Sequence, residues 1–284
     1  MIYKTVISVN DLKNNIKNKD FLIFDSRCDI KDSGYGIDSY TEGHIENAIF
    51  IDVDTDLASE KRPGTGRHPL PDIDTFSNKL CHWGMSNNKQ VVVYDDAGGA
   101  FAGRLWWMLK WLGHEAVAVL DGGLNSWVKD GNKLVTTPTV FEKSYFEPNV
   151  QENMIATVKD VEEAQFKMNT IILDARSKER YEGLNDPVDP IAGHVPGAIS
   201  HPLGTNLDRT AKFRSKEDLK HNFNKIANDL VDREIISMCG SGITACHNIL
   251  ALEICGIRNV KLYVGSWSEW ITDSNRTIVT IKSN

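Results

Sequence analysis

Cysteine is too sparse in this chain to build a covalent framework. There are five, Cys28, Cys81, Cys239, Cys246 and Cys255, an odd number without close pairing, which argues against a disulfide scaffold. No CxxC spacing occurs, so a structural zinc site is not expected, and Cys81, beside His82, is discounted as a metal ligand. Positive charge is also in short supply. A formal net charge of −7 argues against a nucleic-acid partner, although a local site on an acidic protein can still attract a small anion. Long apolar runs are missing, so no membrane span is expected. The start, MIYKTVISVNDLKNNIKNKD, lacks the apolar run of a secretory signal, and without Arg but with Asp11 and Asp20 it does not read as a mitochondrial leader. The expectation is a soluble, cytoplasmic protein in a reducing compartment, with no metal and no organic cofactor.

The chain does contain itself twice. FLIFDSR (21–27) matches TIILDAR (170–176), and GHIENAI (43–49) matches GHVPGAI (193–199). QVVVYDD (90–96) matches EIISMCG (234–240), and KWLGHEAVAVLDGGLNSW (110–127) matches EICGIRNVKLYVGSWSEW (253–270). The order is kept and the offsets stay between 143 and 150 residues, a domain length rather than a solenoid period. With 284 residues, 41% of them hydrophobic, each half can bury its own core.

The repeat unit has an α/β rhythm. Val/Ile-rich runs at 21–25, 91–94, 117–120, 171–174, 234–238 and 260–264 read as buried strands. Helical patterns lie between them: one from Phe76 to His82 capped by Thr75, an apolar one over Gly103–Leu112, and one over Thr244–Ile254. The fold class expected is α/β, two tandem domains, each a mainly parallel sheet with helices on both faces. The boundaries expected are a first domain at 1–135, a linker at 136–153 carrying Pro138 and Pro148, and a second domain at 154–284.

One cysteine stands where such a sheet places ligands, beyond the carboxyl end of a strand. Strand EIISM ends at Met238, and Cys239, Gly240, Ser241, Gly242, Ile243, Thr244 and Ala245 lead into a helix. The two glycines let the backbone curl with its N–H groups inward, and the helix adds the positive end of its dipole. Both effects favour a thiolate and equally suit an anionic sulfur bound to it. Cys28, Cys81, Cys246 and Cys255 lack this setting, and Cys246 and Cys255 read as packing residues. A cysteine phosphatase would need an Arg at position 245, where this chain has Ala245, so the phosphate clamp is missing.

The acid–small–Arg strand ends, the Gly-His blocks, the CGSGITA loop and the closing GSWSEW together resemble the rhodanese, or sulfurtransferase, family over nearly the whole chain. That resemblance implies a tandem enzyme whose second domain carries the reactive cysteine. The first-half counterpart of Cys239 is Asp95, which cannot form a persulfide. The implied mechanism is ping-pong: the Cys239 thiolate takes the outer sulfur of a small anionic donor, and an acceptor then removes it. Acceptors of the implied kind are cyanide, a small thiol or a thioredoxin-like protein. Gly240 and Ser241 in the loop point to 3-mercaptopyruvate, with thiosulfate the alternative donor.

The resemblance also suggests donor-binding residues. Arg180 matches the first of two arginines that grip the carboxylate in mercaptopyruvate enzymes, while the second position falls near Val188 and is absent. Arg180 then holds a carboxylate or thiosulfate, or is a surface arginine. His68, in GRHPLP, either relays a proton to the leaving group or is a loop histidine, and Arg67 beside it is a lesser candidate for attracting an anion. Asp56 and Glu60 are the acids near His68. Ser241 hydrogen-bonds the reacting sulfur or substrate, or simply fits the turn. Asp25/Arg27, Asp174/Arg176, His44 and His194 occur in both halves and read as structural, and Trp267 is placed at the cleft. A non-catalytic binding module is the reading from another class, and Cys239 in an intact loop speaks against it.

Overall fold

The structure is a computed structural model that describes residues 2–226 and 230–281. The chain forms two compact units. One comprises the residues up to Ser59, Leu70–Gln151 and Arg209–Phe213; the other comprises Glu60–Pro69, Glu152–Asp208 and Arg214 onward. Among the described residues no helix is long and apolar enough to cross a membrane.

The first unit alternates strands and helices in chain order: β1 (Val6–Ile7), α1 (Val9–Asn15), β2 (Phe21–Asp25), α2 (Tyr35–Glu42), β3 (Ala48–Phe50), α3 (Ile73–His82), β4 (Gln90–Tyr94), α4 (Ala102–Trp111), β5 (Val117–Leu120) and α5 (Gly123–Lys129). The second repeats the scheme: β6 (Ile155–Ala156), α6 (Val158–Ala164), β7 (Thr170–Asp174), α7 (Lys178–Tyr181), β8 (Ile199–Ser200), α8 (Lys216–Asn224), β9 (Glu234–Met238), α9 (Ala245–Ile254), β10 (Val260–Tyr263) and α10 (Ser266–Trp270). Each unit has one five-stranded sheet, ordered β1-β5-β4-β2-β3 and β6-β10-β9-β7-β8. Every pairing is parallel, and the two long central pairs share a register plan, Phe21 opposite Gln90 in one and Thr170 opposite Glu234 in the other. The expected α/β architecture and the duplication are therefore both observed.

Burial explains why the central strands read as unbroken apolar runs. All five residues of β4 are buried, as are the last four of β9, because a parallel strand with its crossovers is covered on both faces. Helix α4 is buried along its whole length, which is why it lacks a polar face. Helix α3 starts earlier than its sequence pattern suggests: Asp72, not Thr75, is the cap, accepting the Thr75 N–H at 2.9 Å. Aspartate and threonine are both good caps, and the aspartate three residues upstream catches the threonine's own amide. Residues 136–149 have no regular structure but are tied to the first unit by Ser144 N–H to Cys81 O (2.9 Å) and Asn149 N–H to Leu112 O (2.8 Å).

The repeated polar residues are structural braces. Arg27 donates Nε to Asp25 at 3.0 Å and Nη2 to the Gly43 carbonyl at 2.8 Å. Arg176 does the same with Asp174 (3.1 Å) and Gly193 (2.6 Å). His44 and His194 each bond a helix carbonyl through Nδ1 at 2.7 Å and stack on a tyrosine, Tyr40 or Tyr181, at 3.8 Å. Each brace ties the end of its β2-type strand to the turn before the next strand.

Three histidines carry a stability cost in acid. Burial lowers the pKa of His114, His194 and His201 below the usual 6.5. The unfolded chain then takes up these protons more readily, so stability is full above the unfolded value and is lost as pH falls through it. Burial raises the carboxyls of Asp95, Asp189 and Glu269, which act in the opposite sense, each adding stability as pH falls through its raised value. Thermal melts at matched ionic strength should show Tm falling as pH drops from about 7 to about 6. A flat or rising Tm across that window would contradict this account.

Candidate active site

Cys239 follows the last residue of β9 at the carboxyl end of the second sheet, and Thr244 caps α9 five residues on. The cysteine is only 2% exposed. Its N–H donates to Ser266 Oγ at 3.1 Å, and its carbonyl accepts the Trp267 N–H at 3.0 Å. The Gly240 carbonyl accepts the Ser268 N–H at 2.9 Å, so the first turn of α10 clamps the start of the loop. The Gly242 N–H points back at Cys239 Sγ, 3.1 Å away. That contact is the inward amide expected of a loop that holds a thiolate.

The backbone requires glycine at position 242, whereas at position 240 a side chain would meet only the ends of two arginines. Gly242 has φ of +77°, and a side chain there would lie 2.4 Å from the Val264 carbonyl oxygen. At Gly240 a side chain would lie 2.8 Å from Arg67 Nη2 and 3.0 Å from Arg180 Nη2. The absence of a side chain on the residue after Cys239 thus lets two guanidiniums approach the backbone.

The first unit holds the same loop with its anion built in. Asp95 follows β4, is fully buried, and accepts N–H bonds from Ala97 (2.9 Å), Gly99, Phe101 and Ala102 (each 2.8 Å). Burial pushes its carboxyl up while the four amides oppose the shift. The turn after this strand is therefore an anion cradle, which supports the same capacity in its counterpart at Cys239.

The other residues singled out from sequence fall as follows. Ser241 is buried, and its Oγ lies 2.7 Å from His68 Nδ1, so the two form one polar pair. Arg180, in the last turn of α7, donates Nε to Asp186 (2.9 Å) and Nη2 to Asp189 (2.7 Å). Arg67 is ion-paired with Asp189 and fixed by its own N–H to Ser268 Oγ at 3.0 Å. Ile243 and Ala245 are buried and face packing rather than solvent. Asp56 is taken up by Lys79 at 2.6 Å and by the Asp52 amide at 3.0 Å. Trp267 does not line a cleft: it is fully buried, with the Arg176 guanidinium 4.4 Å from its ring centre and its indole N–H on the Ile191 carbonyl. Its position one residue after Ser266 turns the ring into the core. Among the described residues no cluster suited to a metal ion occurs.

Sequence reasoning missed three residues here. Asp189 and Asp186 stand in the segment NDPVDP, where the family resemblance calls for a second arginine rather than for acids. Ser266 has φ of +51°, a strained value outside glycine, and its hydroxyl links Cys239 N to the Tyr263 carbonyl. Only the repeat pairing of its segment with the Gly-Gly of the first half hinted at an unusual turn.

A rhodanese-like domain family profile matches residues 8–130 and again 157–273. A probable 3-mercaptopyruvate sulfurtransferase of Pseudomonas aeruginosa is 38% identical over 277 residues, covering 97% of this chain and 98% of that protein. A thiosulfate sulfurtransferase of Rattus norvegicus is 33% identical, covering 81% and 78%. The crystal structure of a 3-mercaptopyruvate sulfotransferase from Escherichia coli is similar with a TM-score of 0.79 at 30% identity, covering 94% of this chain and all of that one.

Proposed function

The chain belongs to the rhodanese-like family as a tandem-domain sulfurtransferase, and we propose that Cys239 is its sulfur carrier and 3-mercaptopyruvate its preferred donor. The observation that carries this is the Gly242 N–H on Cys239 Sγ at the carboxyl end of β9, in a loop whose first-half counterpart already holds an anion. The thiolate attacks the donor's sulfur, the C–S bond breaks, and its electron pair leaves on the carbon as pyruvate enolate. One proton taken up by that enolate gives pyruvate, and Cys239 keeps the sulfur with its hydrogen as a persulfide. No external oxidant is consumed: the carbon keeps the electron pair of the broken C–S bond and is reduced to the methyl of pyruvate, while the sulfur rises from thiol to sulfane level in the persulfide. An acceptor thiolate, from a small thiol or a thioredoxin-like protein, or cyanide, then takes the outer sulfur and releases the Cys239 thiolate.

The supporting residues follow from their positions. The loop amides of 240–245 stabilise the anionic sulfur, a preorganised electrostatic effect. Arg180 binds the donor carboxylate, and the His68–Ser241 pair passes the proton to the enolate. The domain at 1–135 lacks a nucleophile of its own, because Asp95 stands where one would be, and it contributes only the segment with Arg67 and His68, which belongs to the second unit; residues 136–153 link it to the domain at 154–284, which carries Cys239. The setting is cytoplasmic, where thiol acceptors are abundant.

Incubation with 3-mercaptopyruvate, and separately with thiosulfate, should add one sulfur to the Cys239 peptide by mass and yield thiocyanate with cyanide. If neither donor adds sulfur there, the reading fails. Arg180→Ala should raise the apparent KM for the donor by about 10-fold or more, the loss expected for one charge-assisted contact. Unchanged KM would remove Arg180 from the site.

A further inference from the structure

The guanidiniums beside Gly240 come with their own counter-charge. Asp189 is shared by Arg67 and Arg180, one carboxylate oxygen to each. Asp186 holds the Nε side of Arg180, and behind it Arg176 is matched by Asp174. Two arginines thus face two aspartates, and the group carries no net charge. Exposure is divided unequally: the Arg67 and Arg180 side chains keep 24% and 17%, whereas that of Asp189 keeps 3%. A ligand arriving at Gly240 therefore meets N–H donors first, with the carboxylate sunk behind them.

We propose that Asp189 selects the sulfur donor: by joining Arg67 and Arg180 at Gly240 and cancelling their excess charge, it fits the subsite to a monoanionic α-keto carboxylate rather than to dianionic thiosulfate. The inference rests on the sulfur transfer through Cys239 proposed above. A carboxylate is recognised by paired, in-plane N–H donors, and such geometry works without surplus positive charge. A dianion loses more hydration on entering and needs that surplus to offset the loss. It also approaches a thiolate, which adds like-charge repulsion. Arg67 supplies the second guanidinium, although it lies far from Arg180 in sequence.

Asp189 is not what shapes its own turn. The Val188 and Asp189 amides both donate to Asp186 Oδ1 at 3.0 Å, so Asp186 fixes the backbone and the Asp189 side chain is left to serve the arginines. Asp189→Asn keeps the volume and that turn while removing one negative charge.

The test is steady-state sulfur transfer to cyanide from both donors by the wild type, Asp189→Asn and Asp189→Glu. In Asp189→Asn the ratio of kcat/KM for thiosulfate to that for 3-mercaptopyruvate should rise about 10-fold, because the dianion gains twice the relief of the monoanion. Asp189→Glu should return the ratio toward wild type, which a merely structural role would not do. An active wild type whose ratio is unchanged in Asp189→Asn overturns the inference alone; a wild type that takes sulfur from neither donor overturns the sulfur-transfer reading and the inference with it. The unmutated protein gives a second readout should the variant fold poorly. Added salt should change the two donors' kcat/KM by less than about twofold relative to one another. A thiosulfate rate that collapses with salt marks a net positive subsite and overturns the inference.

Discussion

Cys239→Ser should lower sulfur transfer from either donor by on the order of 10⁴-fold or more, with little change in stability. Serine is close in size, and its Oγ can accept the Gly242 N–H that now points at Sγ. The loop is held by backbone bonds from Trp267 and Ser268, which do not depend on the side chain. What is lost is the chemistry: a hydroxyl is not ionised at neutral pH and forms no persulfide. None of the other cysteines is placed to substitute. Burial, aided by nearby aspartates, pushes the Cys28 thiol up to about 12, and burial pushes Cys255 up to about 11. Cys81 and Cys246 are buried, with Cys246 Sγ turned to the Gly242 carbonyl. The check is a rate assay on both donors together with the mass of every cysteine peptide. Full activity in Cys239→Ser, or added sulfur on another cysteine, would end the role assigned to it.

Much of this architecture was legible in the sequence because the same physics is written twice. A parallel strand buried on both faces leaves an unbroken apolar run, and two sets of such runs in one order expose the duplication. The loop after β9 was legible for a local reason: strand, two glycines and helix are consecutive, so Cys239 and Ala245 could be read off directly. Residues brought together by tertiary contact were not legible. Asp189 gains its meaning from Arg67 and Arg180, and Arg67 lies in a segment that packs with the second unit despite its place in the first half. For Ser241 the sequence offers a turn residue or a hydrogen bond to the reacting sulfur or substrate, and its 2.7 Å approach to His68 is a contact across the chain that neither reading names. Trp267 was misread because proximity to a strand end says nothing about which way a ring turns.

Arg176→Leu should destabilise the second unit by about 3–5 kcal/mol, the cost of leaving a buried charge without its partner. Its side chain is fully buried between Asp174, the Gly193 carbonyl and the Trp267 ring. The equivalent change in the first unit, Arg27→Leu, should cost less, about 2–3 kcal/mol. There the phenol of Tyr94 donates to Asp25 at 2.7 Å and would continue to serve the carboxylate. Its counterpart after the repeat is Met238, which offers Asp174 nothing, so identical braces differ in what remains when the arginine goes. Urea unfolding followed by probes specific to each unit would measure both, and equal losses would refute the argument from Tyr94. Asp174→Asn added to Arg176→Leu should recover part of the loss, because a neutral amide no longer needs the cation. The same arginine lies 3.6 Å from Asp186, which in turn holds Arg180 Nε. Loss of Arg176 should therefore also raise the apparent KM for the donor while Cys239 alkylates as before, so that a brace common to both halves carries a second burden only in the half with the cysteine.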